Sequence, residues 1–284
     1  MDFRNILQEI EKNDPEVYEK LSGRRQILKS FGSKVALAAL PLALGSMFKK
    51  AYGKTTSDLE VSLNFALELE YFHYAFFRTA NNTGGLIPAK DQAGFKVIET
   101  HDKAHIAFLQ GLLGMMGSTA FVPRHYSHPT TNAPYVPAAY DFTMGGVYAP
   151  FSDYATFLMM ASVFKDTGIR AYNGQLPVWT NNPVFAQLQQ LSATEGRHAG
   201  FIRTLRRYTG APETPAPWIN NDIAPAVAFV PNYAGEGNTS QLSVVTTSLP
   251  GIGGNVPALS ASAAFDEPMD ATSVLKLINP FILP

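Results

Sequence analysis

Hydrophobic residues recur at helical spacing along several long segments of this chain, and polar or flexible residues mark the ends of those segments. A capping box at Ser57-Asp58-Leu59-Glu60 opens the first segment, and the polar, glycine-containing run at 81–85 closes it. Pro88 precedes the second segment, which Gly117 ends. The first half of the chain therefore predicts two long helices with a short connection between them.

Two further segments of the same kind lie beyond residue 150. The third begins near Ser152-Asp153, and Asn173-Gly174 supplies a left-handed stop for it. The fourth opens with Asn182 as the cap and Pro183 at the first helical position, and it ends at Gly210. The predicted helices are therefore at about 57–79, 89–116, 152–172 and 182–208.

The lengths of the connections predict how these helices are arranged. The first and second helices, and the third and fourth, are joined by short links, whereas the segment 118–151 between the second and third is long and rich in Pro, Tyr and Gly. Two short links around one long crossover are typical of a ferritin-like four-helix bundle. We therefore predict a mainly α protein with its bundle at 55–210. Residues 211–284, rich in Pro, Gly, Ser and Thr, are expected to form an irregular C-terminal extension packed on the bundle.

The composition of the chain excludes several classes of partner and of site. The chain has 284 residues and a formal net charge of −1, so its charge gives no reason to expect a nucleic-acid partner. It contains no cysteine, which excludes disulfides, thiolate metal sites and cysteine nucleophiles. Only 16% of the residues are charged, so acidic and imidazole groups that fall on the apolar helices are informative.

The first 50 residues resemble a leader. Arg24-Arg25 precedes a short apolar run at 35–44, which is the pattern of a twin-arginine export signal. The run is too short to span a bilayer core of about 30 Å, so no transmembrane span is expected in the mature chain. The pattern predicts a partnership with the twin-arginine export machinery and a periplasmic or otherwise exported location. The alternative is an N-terminal amphipathic helix with a surface arginine pair.

Two acidic-x-x-His pairs lie on the second and fourth predicted helices. Asp102 with His105, and Glu195 with His198, are each three residues apart and so share one helix face. Two such pairs on facing helices, with one carboxylate from each of the other two helices, build a di-iron or di-manganese centre. Carboxylate oxygens suit Fe and Mn, and imidazole tolerates both metals. The pairs therefore predict a site for Fe or Mn, the metal ion being the expected partner.

The first helix offers two candidate carboxylates, Glu70 and Glu68. Glu70 shares a face with His73 among aromatic and aliphatic neighbours, where a charge is costly unless it is paired or coordinated. Glu70 is the preferred candidate, and Glu68 is the alternative.

On the second helix, His101 lies one turn before His105 and could add a ligand, or it could serve only as a hydrogen-bonding residue. A surface metal site at His125 and His128 is a weaker hypothesis.

Four stretches resemble the ferritin-like family that includes bacterial and plant desiccation-related proteins. They read NFALELEY at 64–71, DKAHIAFL at 102–109, DTGIRAYNG at 166–174 and EGRHAGFIR at 195–203. The resemblance implies a ferritin-like bundle over about 55–210. It also implies a set of metal ligands, with Asp102 standing where the family usually has Glu: Glu70, Asp102, His105, Glu195 and His198.

The third helix departs from that pattern. Lys165 occupies the position where the family usually has a metal-binding Glu. Lys165 falls on the three- and four-residue spacing of the inner positions of this helix, so it could point inward and neutralise Glu70 or Glu195. Alternatively, it could extend to water. Asp166 is the neighbouring carboxylate, rotated by about 100° around the helix, and it could complete the site only if the helix turns locally. The departure therefore argues against a complete two-metal site, and one metal ion or none is expected.

Two functions follow from these alternatives. The first is an exported, metal-dependent oxidoreductase or oxidant-scavenging stress protein. The second is a metal-free structural or stress protein in which Lys165 replaces the metal charge. An iron-storage cage is a weaker third idea, because the crossover and the extension would crowd a symmetric shell. Assembly into a homo-oligomer is also compatible with the sequence.

Overall fold

The computed structural model describes residues 58–123, 139–180, 182–212, 215–221 and 223–283. This part of the chain is mainly helical, as predicted. Its four long helices are α1 (Asp58–Asn82), α2 (Ala89–Met116), α3 (Tyr154–Trp179) and α4 (Phe185–Tyr208). The leader, with Arg24 and Arg25, and the loop histidines His125 and His128 lie outside the described residues.

The end of α3 was predicted wrongly. The helix does not stop at Asn173-Gly174 but continues through Pro177 to Trp179. A Cβ at Gly174 would lie 2.1 Å from the carbonyl oxygen of Met269, so this glycine serves a close approach of the C-terminal extension. Glycine is typical both of a helix end and of a close contact between segments. The sequence alone therefore does not show which of the two roles Gly174 has.

The beginning of α4 also differs from the prediction. Its N-cap is Val184, which makes no side-chain capping hydrogen bond. Asn182 instead donates from its side chain to the carbonyl of Val178 at 2.6 Å, and so ties the link back to the end of α3. At the start of α3 the prediction holds, since the Asp153 side chain accepts from the backbone N–H of Thr156.

Aromatic side chains fill the space beside α1 and α3. Phe164 of α3 packs against Phe72 and Phe76 of α1, with ring centroids 4.7 and 4.9 Å apart. Phe142, from the crossover, and Phe281, from the end of the chain, join the same cluster. Contacts of this size contribute through apolar burial and edge-to-face geometry. The cluster therefore anchors both irregular segments to the bundle.

The C-terminal extension is built from short elements. After a 3₁₀ turn at Val227–Phe229 they include the helices α5 (Val230–Tyr233), α6 (Ala258–Ser262) and α7 (Ala271–Ile278). Two antiparallel hairpins lie between α5 and α6: β1 (Ser240–Gln241) with β2 (Val244–Val245), and β3 (Pro250–Gly251) with β4 (Gly254–Asn255). Within the described ranges, no helix combines the length and hydrophobicity needed to cross a membrane.

Arg170 of α3 fastens the extension to the bundle. Its guanidinium donates to the backbone carbonyls of Asn232, Ala234 and Glu267 at 2.6 to 2.9 Å. It also pairs with the buried carboxylate of Glu236 at 2.6 Å. One buried cation therefore satisfies several carbonyls that an irregular segment would otherwise leave without partners.

Candidate metal centre

Acidic and imidazole side chains from three helices meet inside the bundle. Ligand atoms of Glu70 on α1, Asp102 and His105 on α2, and Glu195 on α4 all lie within 4.8 Å of one another. The three carboxylates are fully buried. The structure thus brings together four of the six residues that the sequence suggested as metal ligands. Glu68, the alternative on α1, is half-buried and lines a separate cavity with Phe121 and Tyr140.

His198 lies at the edge of this group. Its Nδ1 is 3.1 Å from Glu195 Oε1 and 3.8 Å from Asp102 Oδ1. Its other ring nitrogen, Nε2, shares a hydrogen bond of 3.0 Å with Nδ1 of His101, and the two rings are stacked. His101 is therefore a hydrogen-bonding partner of His198 in this structure.

Lys165 points inward. Its Nζ is fully buried and donates to Asp102 Oδ1 at 2.8 Å and to Glu195 Oε2 at 2.6 Å. The ring of Phe77 lies 5.2 Å from the same nitrogen. The alternative in which Lys165 extends to water is excluded. Because the carboxylates that face it are buried, removing this cation would leave uncompensated charge in the core.

His73 supports Lys165 and needs the glycine at position 168. The carbonyl of Phe164 can only accept, so His73 Nε2 donates to it at 3.1 Å and carries the ring proton. Nδ1 is then free to accept from Lys165 Nζ at 3.4 Å. A Cβ at Gly168 would lie 2.7 Å from Cε1 of His73. In the sequence, this glycine is recognisable only as part of the motif DTGIRAYNG.

Asp166 lies outside the cluster, which corrects the expectation that it could supply the missing carboxylate of α3. Its two oxygens accept from the guanidinium of Arg203 at 2.8 and 2.5 Å, and Oδ2 also accepts from Tyr233. The helix makes no local turn toward the other carboxylates. The rotation of about 100° from position 165 sends this side chain to α4 and the extension instead.

Tyr172 is a further member of the site, which was not predicted from the sequence. Its hydroxyl donates to Glu70 Oε1 at 2.5 Å, and both side chains are fully buried. The available signal was its position one helical turn after Gly168 and two after Lys165. Tyr172 fixes one oxygen of Glu70 and leaves the other for a different partner.

Burial dominates the protonation of the carboxylates. Desolvation raises the pKa of Glu70, and the nearby charge of Glu195 adds to this shift. Desolvation also raises the pKa of Asp102 well above its usual value, against the opposing charge of Lys165. Glu195 is different: burial opposes its charge, but Lys165 and the adjacent imidazoles of His105 and His198 together lower its pKa well below the usual value. Glu195 is therefore the most strongly anionic member.

The histidines of the site also differ in the direction of their pKa shifts. Burial and the charge of Lys165 lower the pKa of His73 to about 3, and burial lowers the pKa of His198 to about 4. Both are neutral near pH 7. Burial also opposes the charged form of His105, but the close carboxylates of Glu195 and Glu70, 3.5 and 3.3 Å from its Nδ1, outweigh it and raise the pKa to about 10. His105 therefore holds a proton that a bound cation would displace.

Several buried atoms of the cluster lack a hydrogen bond of good geometry to any described residue. Each belongs to a group that ligates metal ions, and each lies among the carboxylates and imidazoles of the site: Glu70 Oε2, Asp102 Oδ2, His105 Nδ1, Glu195 Oε1 and His198 Nδ1. Buried polar atoms normally have partners, so their concentration at one place requires an explanation. A cation among these atoms would satisfy them, and the residues present therefore fit a metal ion.

A four-helix bundle that directs carboxylates and imidazoles to one interior cluster defines a class of metal-binding bundle proteins. The model of the ferritin-like domain family matches residues 57–207, more than half of the 284-residue chain. The chain therefore belongs to the ferritin-like domain family. No curated protein and no solved structure matches it. The family resemblance in the four motifs is confirmed for the ferritin-like domain, and the narrower likeness to desiccation-related proteins stays a prediction.

Proposed function

We propose that this protein binds one Fe or Mn ion through Glu70, Asp102, His105 and Glu195, and that it is an oxidoreductase or oxidant-scavenging stress protein. The observation that carries the proposal is the convergence of buried ligand atoms without hydrogen-bond partners, four of which belong to these residues. The proposal includes export by the twin-arginine route to the periplasm or another exported location, which Arg24-Arg25 and the apolar run after them support.

Charge balance supports a single divalent ion. When ionised, Glu70, Asp102 and Glu195 carry three negative charges, and Lys165 compensates one of them. A divalent ion bound with neutral His105 would compensate the other two, and buried charges are stable only when they are paired or coordinated. Lys165 stands between Asp102 and Glu195, so its ammonium takes the place of a second metal ion.

A bound Fe or Mn ion would supply one-electron redox chemistry toward peroxide or dioxygen. The chain's own residues then have distinct tasks. Tyr172 holds Glu70 in one orientation through a 2.5 Å hydrogen bond. Lys165 keeps Glu195 ionised and holds Asp102 and Glu195 close together. His73 accepts from Lys165 and fixes its position. The apolar side chains around Phe77 limit the access of water to these charges.

The alternative is a metal-free structural or stress protein in which Lys165 replaces the metal charge. Its specific support is the pair of short contacts from Lys165 to Asp102 and Glu195. In that case the His105 proton provides the second positive charge. The two functions differ in whether the folded protein gains stability from metal.

Thermal unfolding in the presence of metal separates the two functions. Mn²⁺ or Fe²⁺, the latter without oxygen, should raise the melting temperature, because a ligand that binds only the folded state stabilises it by about 2.7 kcal/mol at 100 times its Kd. The variant His105→Ala is the matched control and should lose most of this gain. A wild-type melting temperature that does not change with either metal would refute the metal-binding function and favour the metal-free alternative.

A further inference from the structure

The carboxylates of the proposed site are not exposed to solvent. Glu70, Asp102, Glu195 and Lys165 are all fully buried, so an ion can reach them only past a neighbouring side chain. Among the imidazoles around the cluster, His105 keeps 14% and His198 keeps 6% of its side-chain surface exposed. His101, one residue before Asp102, is partly exposed.

His198 connects the surface to the cluster. One of its ring nitrogens, Nδ1, lies 3.1 Å from Glu195 Oε1, and the other, Nε2, lies 3.0 Å from Nδ1 of His101. The rings of His101 and His198 are stacked with centroids 5.2 Å apart, and the ring of His105 lies 6.5 Å beyond His198. Three imidazoles thus lie in a row beside the buried carboxylates, between α2 and α4.

Among the described residues, the sides of the cluster toward α1 and α3 are closed. Toward α1, the rings of Phe72, Phe76 and Phe77 are buried. Toward the outer face of α3, Asp166 and Arg170 are occupied by Arg203 and by the C-terminal extension. The seam between α2 and α4 is therefore the place where polar, ligating atoms lead inward from water.

We propose that His101 and Nε2 of His198 form an entry site that captures a divalent metal ion at the surface and delivers it to the buried carboxylates. Two imidazoles provide enough affinity to hold Fe, Mn or Co but fewer ligands than the inner site, so the ion moves inward. This inference rests on the proposed function. It assigns to His101 a role in the rate of metal uptake and no place among the final ligands.

The test is the rate at which Co²⁺ enters the full-length protein, followed by its visible absorption after rapid mixing. His101→Phe keeps a ring that can stack on His198 but removes both nitrogens, and His101→Gln is a second variant without the ring. The matched control is Thr100→Ala, an exposed neighbour on the same helix. We expect uptake to slow at least about 10-fold in both His101 variants, with the final amount of bound Co²⁺ unchanged and the control equal to wild type.

Three results would overturn the entry site. Uptake at the wild-type rate in both His101 variants would show that the ion enters elsewhere. A lower final amount of bound Co²⁺ at an unchanged rate would show that His101 only supports the structure of the inner site. Absence of uptake by the wild type would refute the proposed metal binding itself, and the entry site with it.

Discussion

At the scale of single residues, Lys165 contributes the only buried ammonium among the described members of the cluster, between Asp102 and Glu195. The three- and four-residue spacing of α3 predicted that this position could face inward. It could not decide between an internal ion pair and a side chain that extends to water. That choice depends on the carboxylates opposite Lys165 and on the apolar packing around Phe77, which only the fold brings together.

Gly168 gives a residue-scale prediction about the support of Lys165. Gly168→Ala should destabilise the protein by about 1–2 kcal/mol, because the new methyl group would press on His73, whose hydrogen bond to Phe164 fixes its position. Alanine is otherwise favoured over glycine in a helix by up to about 1 kcal/mol. Denaturant unfolding measures the change in the free energy of unfolding.

The matched control for that substitution is Gly111→Ala on α2, where the structure places nothing within 4 Å of the added Cβ. This variant should be as stable as the wild type or slightly more stable. If Gly168→Ala also leaves the free energy of unfolding unchanged, then His73 is not held as the structure indicates.

At the scale of elements, periodicity and capping residues placed all four long helices. They failed at Gly174, where a glycine that admits the extension was interpreted as a helix stop. They failed again at Asn182, whose side chain bonds to the preceding helix instead of capping the next one. In both places a tertiary contact determines the residue, and local sequence contains no information about the contacting partner.

The extension provides an element-scale prediction through Glu236. Burial raises the pKa of Glu236 to about 7, although Arg170 acts against this shift. The folded state therefore binds this proton more tightly than the unfolded chain, where the ordinary value is 4.5. Stability should fall as pH rises from about 4.5 to 7, by at most about 1.4 kcal/mol per pH unit for one proton.

Unfolding free energies measured between pH 5 and pH 8 test this effect. The variant Glu236→Gln keeps the shape of the side chain but cannot titrate, so its stability should fall less steeply over the same range. The groups of the candidate metal centre are the same in both proteins. The difference between the two slopes of unfolding free energy against pH therefore reports on Glu236 alone. Equal slopes would show that the extension does not couple to pH through this residue.

At the scale of the whole molecule, the order of helices and the long crossover predicted the ferritin-like bundle, and the family match confirms it. Helical spacing also indicated which carboxylates and imidazoles face one another. The sequence could not reveal Tyr172 as a partner of Glu70, or Arg203 as the partner of Asp166, because each pair joins residues that are far apart in the chain and meet only through helix packing. The fold does not determine the reaction, which depends on what the cluster binds.

The number of metal ions bound per chain tests the central claim most directly. Wild-type protein and Lys165→Glu are each loaded with excess Mn²⁺ or Fe²⁺, separated from free metal and analysed for metal content. Because Lys165 occupies the place of a second cation, we predict one ion per chain for the wild type and two for the variant. A wild-type value of zero or two would contradict the account.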